Sequence, residues 1–224
     1  MTSHFAILQV VLPLLAAPLM VLVRRGAIAW LLAVAASAAT LVISATLLVQ
    51  TLDGTIISDA IGSWPPPWGI EYRIDAANAF VLLLVSAIGF VVALYSRRSV
   101  AAEIPEEQHY LFYTMYALCL TGLLGMTATG DAFNVFVFME IASLSMYVLI
   151  AFGRDRRALV ASYQYLIMGT IGATFFVIGV GLLYLLTGTL NLADMAQRLP
   201  QEAQPRAELA ALAFITVGLS LKLA

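Results

Sequence analysis

Two ionisable residues lie in apolar surroundings, where a charged side chain requires an explanation. Glu140 is the only charged residue between Asp131 and Arg154. It follows the start of an apolar segment by about nine residues, or roughly 13 Å along a helix. Lys222 lies far inside another apolar segment, near the end of the sequence. A charge at the centre of a membrane costs about 2.5–3.5 kcal/mol on insertion scales, so such residues indicate a functional site or a charged partner.

A carboxylate and an ammonium in a low-dielectric region have the chemistry of a proton switch. Burial disfavours the charged form of each group, whereas pairing favours it, so opening or closing the pair changes which group holds a proton. We therefore interpret Glu140 and Lys222 as a proton or cation relay. A buried ion pair that only fixes helix packing is the alternative. The sequence does not show whether the two side chains meet.

Three further residues are candidates for auxiliary roles. Asp131 precedes the segment that contains Glu140 and is predicted to cap its helix, with a role at an ion entrance as the alternative. Ser143 lies three residues after Glu140, on the same helical face, and could equally be an ordinary interhelical contact. Gln164, between two tyrosines, could hold water in a path or face the membrane interface.

The composition shows which kind of element must position these residues. Of the 224 residues, 62% are hydrophobic and 11% are charged, and the mean hydropathy is +0.96. A soluble domain has about a quarter of its residues charged, so a water-soluble enzyme is excluded. The formal charge of −2 provides no basic surface for nucleic acid. One cysteine and two histidines are too few for an iron–sulfur cluster and indicate no metal site.

Uncharged apolar runs of about 20 residues predict membrane-spanning helices. The predicted fold class is therefore an all-α, polytopic transmembrane helix bundle, with six complete spans and the start of a seventh. The runs cover residues 5–23, 27–49, 76–95, 110–127, 132–151, 158–186 and a final segment from about 208 to 224. We treat residues 1–224 as a single membrane domain.

Basic residues in the connections predict the orientation of these spans. Seven arginines fall on one side: Arg24, Arg25, Arg97, Arg98, Arg154, Arg156 and Arg157. Because positively charged loops remain in the cytoplasm, the N-terminus is predicted to lie outside. Residues 50–75 and 187–207 then form outer loops. The first contains Trp64-Pro-Pro-Pro-Trp68 and is expected to be a rigid surface cap or a plain connector, and the second a surface segment without chemistry.

Four segments resemble a known family of membrane proteins. Residues 129–140, TGDAFNVFVFME, resemble the fifth helix of the antiporter-like subunits of respiratory complex I and of the Mrp Na⁺/H⁺ antiporters. Residues 181–191 are similar to the end of the sixth helix in that family, residues 218–222 to the approach to its seventh-helix lysine, and residues 64–75 to its outer loop. The resemblance covers nearly the whole chain and is closest to the D-type subunit of the Mrp antiporters.

The resemblance implies that Glu140 and Lys222 form the central pair of a half-channel. It implies an antiporter-like subunit of a multi-subunit Mrp-type cation/proton antiporter. Such a subunit would move H⁺, either alone or coupled to a monovalent cation such as Na⁺. The partners would be other membrane subunits and the lipid of a bacterial-type inner (plasma) membrane. A proton-pumping subunit of NADH:quinone oxidoreductase and a truncated, non-transporting structural fragment are the alternatives. In all cases we expect neither cofactor nor metal in this chain, because the family's redox centres lie in other subunits.

Two departures from the family pattern bear on these expectations. Many relatives have a lysine before the aromatic residue near the start of the sixth helix, where this sequence has Gln164 before Tyr165. Family members are also built as two inverted repeats, whereas this sequence ends shortly after Lys222. We therefore expect residues 1–224 to be a fragment, the N-terminal half, or one part of a split subunit.

Overall fold

The computed structural model describes residues 4–153, 155–201 and 205–223, and most of them are helical. The helices are α1 (Phe5–Val23), α2 (Gly26–Thr51), α3 (Ala76–Glu103), α4 (His109–Ala128), α5 (Ala132–Ala151), α6 (Arg156–Thr187), α7 (Leu192–Arg198) and α8 (Pro205–Leu223). Among the described residues, six helices, α1 to α6, are long and apolar enough to cross a membrane. The predicted helix bundle with six complete spans is confirmed, and α8 occupies the position of the seventh.

Two of the helices extend beyond the predicted apolar runs into the arginine-bearing segments. Helix α3 continues to Glu103, so Arg97 and Arg98 lie within the helix rather than in a connection. Arg156 and Arg157 form the first turn of α6. Arginine can continue a helix at a membrane boundary because its aliphatic stem packs on apolar surface while the guanidinium reaches water. Arg154 lies outside the described residues, and the orientation of the bundle stays a prediction.

Short polar side chains fix the starts of four helices. Asp75, Asp131, Asp155 and Asn191 accept hydrogen bonds from backbone N–H groups in the first turns of α3, α5, α6 and α7. Each cap satisfies an N–H group that has no partner within the helix. The predicted capping role of Asp131 is confirmed, since its Oδ1 accepts from the Asn134 N–H at 2.8 Å.

The bundle has two parts, which meet at α5. Helix α4 is the most buried of the six spans and packs against α1, α2, α3 and α5. A separate apolar cluster joins α5 to α6, α7 and α8 through residues that include Met139, Phe176 and Ala211. The extensive contact between α6 and α8 completes this second part. Helix α5, which carries Glu140, therefore lies between the two parts.

Residues 50–75 contain a β-hairpin, an element that was not predicted for this segment, which was expected to be a rigid surface cap or a plain connector. Strand β1 (Ile57–Ala60) pairs antiparallel with β2 (Glu71–Ile74), with Ile57 opposite Ile74. The Pro-rich residues 64–69 lie between the strands, and Trp64 and Trp68 are exposed. Strand β2 is mostly buried because it contacts α1, α3 and α4, whereas β1 is partly exposed. The hairpin is therefore seated on one end of the helix bundle.

A buried carboxylate joins the hairpin to the helix connections, and we call this group the Glu71 cluster (Ser58, Glu71, Gly130 and Asn191). The Glu71 carboxylate accepts from Asn191 Nδ2 at 2.9 Å and from Ser58 Oγ at 2.7 Å. Its backbone carbonyl accepts from the Gly130 N–H at 2.9 Å. The segment 187–207 was expected to be a plain surface connection, but it supplies Asn191 to this cluster and contains α7.

Candidate functional site

Glu140 and Lys222 meet inside the helix bundle. Lys222 Nζ donates to Glu140 Oε1 at 2.6 Å and to Ser143 Oγ at 2.9 Å. The Lys222 side chain is 10% exposed and that of Glu140 is 25% exposed. The sequence left open whether these two residues are in contact, and the structure answers that question. It also brings Ser143 to the same ammonium.

The two members of the pair lie at different distances from the starts of their helices. Glu140 follows Ala132, the first residue of α5, by eight residues, or about 12 Å. Lys222 follows Pro205, the first residue of α8, by seventeen residues, or about 26 Å. Side chains on a helix tilt toward its N-terminus, so the long lysine reaches back along α8 to meet the carboxylate. Helix positions alone therefore do not reveal the contact.

Small residues on α6 make room for α8 and for the lysine. A Cβ on Gly172 would lie 2.8 Å from the Gly218 carbonyl oxygen and 3.1 Å from Lys222 Cγ. A Cβ on Gly218 would lie 2.6 Å from the Gly172 carbonyl oxygen and 2.6 Å from the Phe176 nitrogen. Such close approach between helices is typical of small residues in membrane proteins. Gly218 thus packs inside a continuous helix, and α8 is not broken around it.

A cavity of about 330 Å³ adjoins the pair. Its lining is mostly apolar, and the polar side chains that it contains come from Ser143, Tyr165 and Lys222. Thioethers and aliphatic groups provide few competing hydrogen-bond partners, so electrostatic interactions within this space are strong. The arrangement can hold a proton on a carboxylate, an amine or a hydroxyl.

Two other predicted site residues, Asp131 and Gln164, lie away from the Glu140–Lys222 pair. Asp131 caps α5 and is bridged to Asn191 at the end of the bundle that carries the hairpin. Burial raises the pKa of its carboxyl, while hydrogen bonds from the Asn134 and Phe133 backbones oppose this shift. Gln164 lies on an exposed face of α6, whereas its neighbour Tyr165 lines the cavity.

Tyr147 is a further residue on the same helical face, and it was not among the candidates named from the sequence. It follows Glu140 by seven residues and Ser143 by four, which places all three on one stripe of α5. Its side chain is buried, and its ring contacts Tyr165 edge-to-face at 5.0 Å between centroids. The spacing of polar residues at i, i+3 and i+7 is the signal that predicts this alignment.

The described residues contain no group of three or more His, Cys, Asp or Glu side chains that could hold a metal ion. Cys119 is a buried free thiol on α4.

Comparison with known proteins relates these residues to a family. Residues 129–224 match the family described as "NADH:quinone oxidoreductase/Mrp antiporter, TM". The chain is 42% identical over 227 residues to the N-type subunit of NADH-quinone oxidoreductase of Desulforudis audaxviator, an alignment that covers 100% of this chain and 45% of that protein. It is 34% identical over 203 residues to the D-type subunit of the Na(+)/H(+) antiporter of Bacillus subtilis, which covers 90% of this chain and 41% of that protein.

A solved structure shows the same fold. A chain of the membrane-bound sulfane sulfur reductase, an archaeal respiratory membrane complex, superimposes with a TM-score of 0.87 at 34% identity, covering 96% of this chain and 44% of that one. The present chain thus spans less than half the length of these relatives. The protein is a multi-pass membrane protein, and it belongs to the family of antiporter-like membrane subunits shared by Mrp-type antiporters and NADH:quinone oxidoreductases.

Proposed function

We propose that this chain translocates protons, or a monovalent cation coupled to protons, through the Glu140–Lys222 pair. The observation that carries the proposal is the 2.6 Å contact between a carboxylate and an ammonium from two different helices of a membrane bundle. Placing two charges in such surroundings is costly, and a function that uses both of them accounts for the arrangement.

The pair can alternate between two proton distributions. When the helices bring the groups together, the carboxylate and the ammonium stabilise each other's charge. When they separate, each group is left in an apolar environment, where its neutral form is favoured, so Lys222 releases a proton and Glu140 takes one up. Ser143 offers the ammonium a second acceptor at 2.9 Å, which gives the proton a route away from Glu140.

We assign this activity to an antiporter-like subunit of a multi-subunit Mrp-type cation/proton antiporter. The similarity to the D-type subunit of a Na(+)/H(+) antiporter supports this assignment, and the similarity to a chain of a respiratory membrane complex supports partners that are other membrane subunits. We place the protein in a bacterial-type inner membrane with the N-terminus outside, because Arg24, Arg25, Arg97 and Arg98 mark the opposite side as cytoplasmic.

A proton-pumping membrane subunit of NADH:quinone oxidoreductase is the second candidate. The 42% identity to the N-type subunit over the whole chain favours it. Both candidates use the same pair, but they differ in the driving force. Proton movement that follows an imposed Na⁺ gradient would support the antiporter, whereas movement that requires NADH oxidation would support the oxidoreductase.

Replacing Glu140 by glutamine tests the proposal. Glu140→Gln keeps the shape of the side chain and removes its ability to carry a proton, so proton or sodium flux in native membrane vesicles should be lost while the amount of assembled complex is unchanged. Glu106→Gln, at an exposed carboxylate that precedes α4, is the matched control and should leave flux intact. Normal flux in the Glu140 variant would refute the proposal.

A further inference from the structure

We propose that the Tyr147 hydroxyl is the next proton carrier after Ser143, on a path from Lys222 along α5. This inference rests on the proposed function and extends it to a residue beyond the ion pair. The evidence is a row of three polar groups: Lys222 Nζ, Ser143 Oγ, to which it donates, and Tyr147 Oη, which lies one helical turn further along α5.

The first link has a fixed direction. A lysine ammonium only donates hydrogen bonds, so Ser143 Oγ must accept at 2.9 Å and its own hydrogen is left to be donated. Ser145, two residues further along α5, instead donates its hydrogen to the Ile141 carbonyl oxygen at 2.7 Å. The two serines therefore differ, and the hydroxyl that receives Lys222 is the one that faces the next polar group.

The second link joins Ser143 to Tyr147. Tyr147 follows Ser143 by four residues, so the two side chains are neighbours on one face of α5. Glu140 lies on the same face, and Tyr165 contacts the Tyr147 ring. Tyr147 is 5% exposed, so a partner for its hydroxyl is required by the cost of burying an unpaired polar group. The hydroxyl thus continues the row that begins at Lys222.

Helix α6 leaves space for this hydroxyl. A Cβ on Gly169 would overlap Tyr147 Oη, so the glycine accommodates the phenol oxygen and not merely the helix backbone. Two further contacts hold the tyrosine: Ser162 Oγ donates to the Tyr147 carbonyl oxygen at 2.7 Å, and the Tyr165 ring packs edge-to-face on the Tyr147 ring. The position of the oxygen is therefore set by α5 and α6 together.

A proton can move along this row, and the positive charge of the ammonium moves with it to the last acceptor. Lys222 gives a proton to Ser143 Oγ as the serine hydrogen passes to Tyr147 Oη, and the tyrosine hydrogen passes to a solvent water, which leaves as hydronium. Each side-chain oxygen forms one O–H bond and breaks one. Lys222 is left neutral and is recharged when it next receives a proton.

The test is Tyr147→Phe in native membranes that contain the assembled complex, with Tyr163→Phe as the matched control because the Tyr163 side chain is 63% exposed. Tyr147→Phe removes one oxygen and keeps the ring that packs on Tyr165. We expect an unchanged amount of complex and a flux lowered by about a hundredfold or more, the lower end of what positioned proton-transfer groups contribute. The remaining flux should be slowed more strongly by D₂O than that of the unmodified protein, because a proton transfer has become rate-limiting.

Unchanged flux in Tyr147→Phe, or a loss with no change in the solvent isotope effect, would overturn the inference. An equal loss in the Tyr163 control would do the same. If Tyr147→Phe fails to accumulate, Ser143→Ala interrupts the same row and should show the same loss of flux and the same isotope effect. Normal flux in Ser143→Ala would overturn the inference. A Glu140→Gln measurement in parallel separates this inference from the proposed function. Normal flux in Glu140→Gln refutes the proposed function, whereas lost flux in Glu140→Gln with normal flux in Tyr147→Phe refutes this inference alone.

Discussion

The Lys222 ammonium donates to a carboxylate and to a hydroxyl. In an ion pair that only joins two helices, the hydroxyl satisfies another N–H of the buried ammonium. In the relay that we propose, it also lets the proton leave by a group other than the carboxylate. A proton relay and an ion pair that only fixes helix packing predict different effects when Glu140 and Lys222 are replaced.

Removing one charge should cost more stability than removing both. Lys222→Met leaves the Glu140 carboxylate without its partner and should destabilise the protein by on the order of 3 kcal/mol. The double variant Glu140→Gln/Lys222→Met removes both charges and should recover most of that loss. Thermal unfolding of the purified complex in detergent measures these differences.

Flux decides between relay and packing in the same set of variants. The double variant should be as inactive as Glu140→Gln, although its stability is restored. Transport at the normal rate in the double variant would show that the pair only fixes helix packing. Failure of the second substitution to recover stability would show that the two residues are not energetically coupled.

At the scale of elements, the site depends on how closely α6 and α8 approach each other. Gly172 and Gly218 face one another across this contact, and Lys222 continues from it toward α5. Not every glycine of α6 is closely packed, since nothing lies within 4 Å of a Cβ built on Gly181.

Adding one methyl group at this contact should displace α8. Gly218→Ala places a carbon 2.6 Å from two backbone atoms of α6, and the overpacking should cost about 1–3 kcal/mol. The shift should also move Lys222 away from Glu140 and lower the flux. Gly181→Ala is the matched control and should leave thermal stability and flux unchanged. Equal stability of the two variants would contradict the close helix contact.

At the scale of the whole molecule, one end of the bundle is tied together by main-chain and side-chain hydrogen bonds. The Gly130 carbonyl accepts from the Leu192 N–H at 2.9 Å, and the Leu190 carbonyl accepts from the Ala132 N–H at 2.8 Å. With the buried Glu71 carboxylate, these bonds connect the hairpin, the start of α5 and the segment after α6. The two parts of the bundle are thereby held in register at this end.

Loss of the Glu71 carboxylate should loosen this end of the bundle. Glu71→Ala leaves the buried Asn191 amide without its acceptor, which should lower the free energy of unfolding by about 1–3 kcal/mol. Glu107→Ala, at an exposed carboxylate, is the control. Thermal unfolding and proteolysis at residues 187–192 measure the effect. Equal protease resistance of the two variants would contradict the role of the Glu71 cluster.

Much of the fold follows from the sequence because the membrane imposes a strong local rule. Backbone groups in lipid must bond within their own helix, so apolar runs alone predict α1 to α6. The end of α3 and the start of α6 do not follow from apolarity, since arginines extend both helices. The hairpin at residues 57–74 is also missed, because its pairing depends on contacts with the helices and not on a long alternating pattern.

From the amino-acid sequence we predict that Glu140 and Lys222 lie in the membrane, since any helix through these apolar runs carries them there. That the two side chains meet, that Ser143 accepts from the same ammonium and that Gln164 is exposed follow only from how the helices pack. Burial depends on local hydropathy, whereas contact depends on the relative height and rotation of helices. Those are set by distant side chains such as Gly172 and Gly218, which no local pattern relates to the pair.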